Sequence, residues 1–220
     1  MAKRMLIIGD LHLPVVHKKY FNFIKKVRKK WRTNKTMFIG DVFDWHGISF
    51  HTKHPNSPGP KNEYLLARKM AKKWHDAFPG AYVCKGNHDE LPSRQAETAG
   101  VPNVCIKDYN ELWGTPTWKW GYEFEIEDVY YFHGYRQGGI YPAYNAMKKK
   151  QMSVVMGHCH SRAGIKYQAT PNRLTFAMDV GCGIDRNAWA MAYGSHMIEK
   201  PVLSCGVIIN GLPYMELMKL

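Results

Sequence analysis

The sequence contains no run of about 18 apolar residues, the length a helix needs to span a bilayer. Its first apolar stretch, Met5–Ile8, meets Asp10 after a single glycine and is too short for the core of a secretory signal. It has no Cys-x-x-Cys. The five cysteines (Cys84, Cys105, Cys159, Cys182 and Cys205) are scattered and odd in number. That pattern argues against a disulfide framework and suits small buried thiols in a reducing compartment. It has no internal repeat, linker or low-complexity tract, so one domain over residues 1–220 is expected. Together these absences lead us to expect a soluble, cytoplasmic chain with no membrane partner; they leave its oligomeric state open.

Acidic residues are scarce. Eighteen Asp and Glu stand against 31 Lys and Arg, a formal net charge of +13. A field of that sign attracts polyanions such as nucleic acid or nucleotides, and says nothing about fold. The densest positive stretch is Lys18, Lys19, Lys25, Lys26, Arg28, Lys29, Lys30, Arg32 and Lys35. It reads either as a nucleic-acid track or as the solvated face of an amphipathic helix. We prefer the second, because a helix between strands often sits away from the strand-end edge.

Short apolar runs alternate with amphipathic stretches. Met5–Ile8, Met37–Ile39 and Ala81–Cys84 read as buried strands, and Lys18–Arg32 and Glu63–Phe78 as helices. This repetition predicts an α/β fold with parallel strands. A hairpin (Phe124–Ile126 with Val129–Phe132), a helix over Tyr141–Lys150, a strand at Val154–Met156 and late strands at Leu174–Met178, Val207–Ile209 and Met215–Leu217 follow.

Polar residues gather where these strands end: Asp10 and His12, Asp41 and Asp44, Asn87 to Asp89, His133, and His158 with His160. In open α/β sheets, ligands bind outside the carboxyl ends of the strands. Carboxylate, amide oxygen and imidazole together suit Mn, Fe, Zn, Co or Ni better than Ca or Mg alone. Alternation along an extended segment turns His158 and His160 to one side and Cys159 to the other. Asp10, His12, Asp41, Asn87, His133, His158 and His160 are too many donors for one ion and suit two. A pair of ions roughly 3.5–4 Å apart can clamp an in-line displacement at phosphorus and acidify a bound water.

Five blocks occur in order: Gly9-Asp10-Leu11-His12, Gly40-Asp41-Val42-Phe43-Asp44, Gly86-Asn87-His88-Asp89, His133-Gly134 and Gly157-His158-Cys159-His160. In these the sequence closely resembles the calcineurin-like metallophosphoesterase superfamily. The resemblance implies a β-sandwich flanked by helices, with the site at the strand ends. It implies that Asp10, His12 and His160 hold one divalent ion and Asn87, His133 and His158 a second, with Asp41 bridging. Manganese is the leading expectation. His88 would protonate the leaving oxygen or stabilise its charge, and Asp44 would orient His88 by a hydrogen bond. Trp45 and Asp89 stand where the protein Ser/Thr phosphatase branch has Arg and Glu. The chain therefore looks nearer to SbcD-type nucleases and small stand-alone phosphoesterases, without a capping domain.

Less determined features surround these blocks. The loop His46–Pro60 would wall the substrate pocket, with His46 and His51 as candidate phosphate contacts, or would be a plain solvent loop. Arg136, close after His133-Gly134, is a further candidate contact. Trp113, Trp118 and Trp120 with Tyr109 and Tyr122 would fill a core edge more readily than stack on a base. Gly181-Cys182-Gly183 reads as a tight turn. The leading functional expectation is hydrolysis of a phosphodiester, in a nucleic acid or nucleotide, by a metal-held hydroxide. A phosphomonoesterase, or an inactive basic nucleic-acid-binding module, are the alternatives.

Overall fold

The computed structural model describes residues 3–194 and 198–219. In chain order its first part contains β1 (Arg4–Ile8), α1 (Tyr20–Trp31), β2 (Lys35–Phe38), α2 (Pro60–Ala77), β3 (Tyr82–Cys84), α3 (Leu91–Thr98) and α4 (Tyr109–Trp113). Then come β4 (Lys119–Gly121), β5 (Glu123–Ile126), β6 (Val129–Phe132), α5 (Pro142–Lys150) and β7 (Ser153–Met156). The chain closes with β8 (Ala163–Thr170), β9 (Arg173–Val180), β10 (Ser204–Ile209) and β11 (Leu212–Leu217).

Two mixed sheets result. The first has the order β11-β10-β1-β2-β3-β4 and the second β5-β6-β7-β9-β8. β1 to β4 run parallel, as do β6, β7 and β9. Successive strand residues face opposite sides of a sheet, and the sequence uses both sides of β1. Met5 and Ile7 meet Val155, Phe176 and Met178 of the second sheet. Leu6 and Ile8 instead join Ile24, Val27, Ala71 and Trp74 from α1 and α2. On the far side, Val154 and Met156 pack against Ala143, Ala146 and Met147 of α5. The order of layers is thus helices, sheet, sheet, helix, the sandwich flanked by helices that the resemblance implies. Among the described residues no helix is long and apolar enough to cross a membrane.

The late strands divide between the two sheets. Of the three late strands read from the sequence, β9 joins the second sheet, whereas β10 pairs antiparallel with β1 and carries β11 on the first. The pairing of Leu6 with Val207 and Ile8 with Cys205 explains the choice, since these side chains share the helix-facing core. The Trp cluster is structural. Trp113 and Trp118 are buried, and Trp113 stacks on Phe43 with ring centroids 3.3 Å apart.

Candidate metal centre

Five of the parallel strands deliver polar residues at their carboxyl ends. β1 leads to Asp10 and His12, β2 to Asp41 and Asp44, and β3 to Asn87 and His88. From the second sheet, β6 leads to His133 and β7 to His158 and His160. The chain must turn sharply to aim them, and His12, Asp41 and His158 adopt positive φ of 49°, 45° and 66°. Such angles are uncommon for residues with a Cβ and cluster where function demands them. The turns also pass very close to one another. A Cβ on Gly86 would sit 2.1 Å from Asp41 Oδ1, and one on Gly157 would sit 2.3 Å from Asp10 Oδ1.

Ligand-type atoms of Asp10, His12, Asp41 and His160 lie within 4.8 Å of one another, and so do those of Asp41, His133 and His158. Asp41 is common to both groups. Within the first, His12 Nε2 and His160 Nε2 are 3.2 Å apart and His160 Nε2 is 3.1 Å from Asp10 Oδ2. Within the second, His133 Nε2 is 3.1 Å from Asp41 Oδ2 and also from Asn87 Oδ1.

The other ring nitrogens are occupied in the manner expected behind a metal. His12 Nδ1 lies 2.6 Å from the Asp44 carboxylate, and His133 Nδ1 lies 3.1 Å from the carbonyl oxygen of Ile39. With protons on those Nδ1 atoms, both Nε2 lone pairs point into the site. Asp10 Oδ1 is buried with no hydrogen-bond partner among the described residues. A buried carboxylate oxygen left so is costly unless a cation completes it. The donor set therefore fits divalent cations.

Electrostatics agree. Burial, then the neighbouring His88, lower the pKa of His12, while burial and His133 push His158 down to about 4. Both favour the neutral imidazole that ligates metal. Burial alone would also lower His133, but the Asp41 and Asp10 carboxylates outweigh it and push it up to about 10. That carboxylate pair is looking for positive charge, and a proton supplies it where an ion does not.

His88 adjoins the donors. Its backbone N–H donates to Asp41 Oδ1 at 2.8 Å, and its ring stands edge-on to His12 at 4.5 Å. Asp44 reaches it differently from expectation. The Asp44 carboxylate is 3.6 Å from His88 Nδ1, whereas the Asp44 backbone carbonyl accepts from that nitrogen at 2.6 Å. The carboxylate is engaged by His12 because both are fully buried and need each other's hydrogen-bonding capacity. Asp89 braces two of the turns, accepting from the amides of Phe43 and Gly86 at 3.0 Å each.

The remaining candidates lie further out. Glu63 receives the amides of His46 and Gly47, both at 2.7 Å, and so ties the loop to α2. His46 Nε2 then accepts the His54 amide at 2.9 Å, so this nitrogen is used inside the loop. His51 is exposed and its ring makes no hydrogen bond among the described residues. Arg136 is exposed over Tyr135, whose ring meets His158 edge-on at 5.7 Å. Cys159 packs against the α5 cluster, and Cys182 forms the bridge behind Asp10.

Sequence reasoning missed the wall of the main cleft. A cavity of about 1080 Å³ opens beside His158 and His160, and Arg162, Arg186, Trp189 and His54 line it. Arg162 follows His160 by two positions, a proximity that could have flagged it. Arg186 and Trp189 arrive from a segment without any pattern.

Residues 3–186 match the family model described as calcineurin-like phosphoesterase. The Gene 54 proteins of Mycobacterium phages L5 and D29 are 26% and 23% identical, each match covering 91% of this chain and 82% of the phage protein. The fold is similar to that of Vacuolar Protein Sorting 29 from Cryptosporidium parvum, with a TM-score of 0.50 at 12% identity over 99% of this chain and 97% of that one.

Proposed function

We propose, from the premise that the chain belongs to the calcineurin-like phosphoesterase family, that it is a metal-dependent phosphoesterase that cleaves phosphodiesters of a nucleic acid or nucleotide. The observation that carries this reading is the pair of donor groups meeting at Asp41, with His88 against them. Asp10, His12 and His160 would hold one divalent ion, Asn87, His133 and His158 the second, and Asp41 both. Ions bound there supply Lewis-acid stabilisation of phosphoryl charge and acidify water.

The protein's own residues do the rest. Asp44 holds His12 in the tautomer that presents Nε2. The Asp44 carbonyl accepts a hydrogen bond from His88 Nδ1 and leaves Nε2 as the atom available to substrate. Burial lowers the pKa of His88, and the Asp41 and Asp44 carboxylates outweigh it and raise it. In the reaction a water gives a proton to solvent, its oxygen bonds to phosphorus as the bond to the leaving oxygen breaks, and that oxygen takes a proton from His88, which solvent then restores. Arg162 and Arg186 on the cleft wall supply positive charge for the groups flanking the scissile phosphate, and the cavity is larger than a simple monoester needs. Manganese remains the first ion to supply, followed by Fe, Ni, Co and Zn.

The test is hydrolysis of bis-p-nitrophenyl phosphate against p-nitrophenyl phosphate with Mn²⁺, then of an unactivated dinucleotide. We expect diester turnover to exceed monoester turnover. His88→Ala should lose roughly 10²- to 10⁴-fold on the dinucleotide, whose leaving group needs the proton, and less on the nitrophenyl ester. Monoester preference would move the substrate to phosphorylated metabolites or proteins. No turnover with any of these ions would sink the enzymatic reading.

A further inference from the structure

The opposite edge of the first sheet, where β2, β3 and β4 begin, carries two adjoining hollows rich in Lys and Arg. Lys35 opens β2 and Lys119 opens β4. At 3.3 Å per extended residue, Lys35 stands roughly 20 Å from Asp41. A groove of about 510 Å³ there is lined by Lys25, Arg28, Lys29, Arg32, Thr33 and Ala77. Arg28 also lines an adjoining hollow of about 230 Å³ whose wall includes Lys35 and Lys119.

The groove has organised chemistry. Lys25, Arg28, Lys29 and Arg32 follow i, i+3, i+4, i+7 spacing and share one face of α1 and its cap. Arg28 is held by a 2.5 Å bond to the Ala77 carbonyl and by the Phe78 ring 5.2 Å away. Lys119 is held over Tyr82 at 5.0 Å. Thr33 is 8% exposed, and its Oγ1 is buried with no partner among the described residues.

No carboxylate lines either hollow among the described residues. Asp76, near in sequence, is engaged by Lys72 at 2.9 Å. Basic residues in a last helical turn do stabilise the helix dipole. That accounts for Arg28 and Lys29, and Lys35 reaches Glu127 at 3.7 Å, whereas Lys25 and Lys119 have no carboxylate partner among the described residues. None of the large exposed hydrophobic residues lines the groove either. Protein partners and membranes that insert side chains need such anchors, while a phosphate backbone needs spaced cations and hydroxyl donors.

We propose that this edge binds the phosphate backbone of a nucleic-acid strand, at a site separate from the metal-bearing edge. Such a site holds a polymer to the enzyme without touching the reacting phosphate. It does not depend on the cleft's chemistry, so it stands or falls apart from the function proposed above.

Fluorescence anisotropy of a labelled phosphorothioate strand of about 20 nucleotides, which resists hydrolysis, tests it on the metal-loaded full chain. Lys29→Glu with Arg32→Glu should weaken binding at least tenfold at about 0.1 M salt, and two lost phosphate contacts should make the slope of log K against log salt shallower by about 1.4. Turnover of a small chromogenic ester should not change. The Lys29→Ala, Arg32→Ala pair should move the slope the same way, which guards against a folding defect in the Glu pair. Wild-type affinity in both variants would overturn the proposal. So would loss of binding through Arg186→Glu alone, which would seat the strand in the cleft, or wild-type binding to phosphatidylserine vesicles with none to the oligonucleotide.

Discussion

The Nδ1 of His12 lies 2.6 Å from the carboxylate of Asp44, and both residues are 1% exposed or less. Asp44 thus acts on a residue in the donor cluster through its side chain and on His88 only through its backbone carbonyl. Asp44→Asn keeps that carbonyl and weakens the charge on His12. We expect Mn²⁺ affinity to fall roughly 10- to 100-fold, the usual cost of losing an outer-shell partner. Titration calorimetry on the chelated protein reads this directly. Unchanged metal affinity with an altered pH–rate profile would instead make the carboxylate a partner of His88.

Metal should stabilise the fold. The buried Asp10 and Asp41 carboxylates repel each other unless positive charge joins them. Ion at 100 times its Kd should add about 2.7 kcal/mol, seen as a rise in Tm on adding Mn²⁺ and its reversal by chelator. Asp41→Asn should abolish most of that rise, since Asp41 belongs to both donor groups. An undiminished rise would place the ion elsewhere.

The glycine at 157 is there for space. A Cβ would stand 2.3 Å from Asp10 Oδ1 and 2.6 Å from Ile39 Cγ2. Gly157→Ala should cost about 1–3 kcal/mol through overpacking and reduce metal affinity by displacing Asp10. Gly164→Ala meets nothing within 4 Å and should stay within about 0.5 kcal/mol of wild type. Urea unfolding of the two variants side by side decides the matter.

The stack of Trp113 on Phe43 supports the turn that carries Asp41 and Asp44. Trp113→Ala should cost about 3–5 kcal/mol. Trp113→Phe should be far milder, because it keeps an aromatic face and removes an indole N–H that is buried without a partner among the described residues. Equal losses in both variants would show that ring size, not stacking, carries the effect.

Glu63 gives a pH signature. Burial pushes its carboxyl up to about 7, against the pull of the Gly47 and His46 amides. Its unfolded value is about 4.3, so the unfolded chain releases this proton first. Its contribution to stability is therefore complete below about pH 4.3 and is lost as pH rises through about 7. Glu63→Gln has no such titration, and its Tm should fall less than that of wild type between about pH 5 and 8. Parallel Tm curves would show that the folded-state carboxyl is not raised.

Much of this protein is legible in its sequence because its chemistry is local. A short apolar run followed by Gly-Asp or Gly-Asn must be a buried strand ending in a tight turn, and the side chains next to that turn stand at the sheet edge. Hence Asp10, Asp41, Asn87, His133 and His158 could be read as one edge before any coordinates. α3 and β8 escaped the same reading. The first begins Leu-Pro and carries few apolar residues, and the second is a largely exposed edge strand without apolar alternation.

What depended on the tertiary structure is pairwise choice among distant residues. Nothing local says that Asp44 turns its carboxylate to His12, that β10 sits beside β1, or that Arg186 and Trp189 face His160 across a cleft. Each is decided by which buried polar group or apolar face has no other partner once the layers close. The net charge of +13 was plain from composition. That the cations of α1 share a surface with Lys35 and Lys119 was not, because a helix pattern gives the spacing of cations and not the strand ends they adjoin.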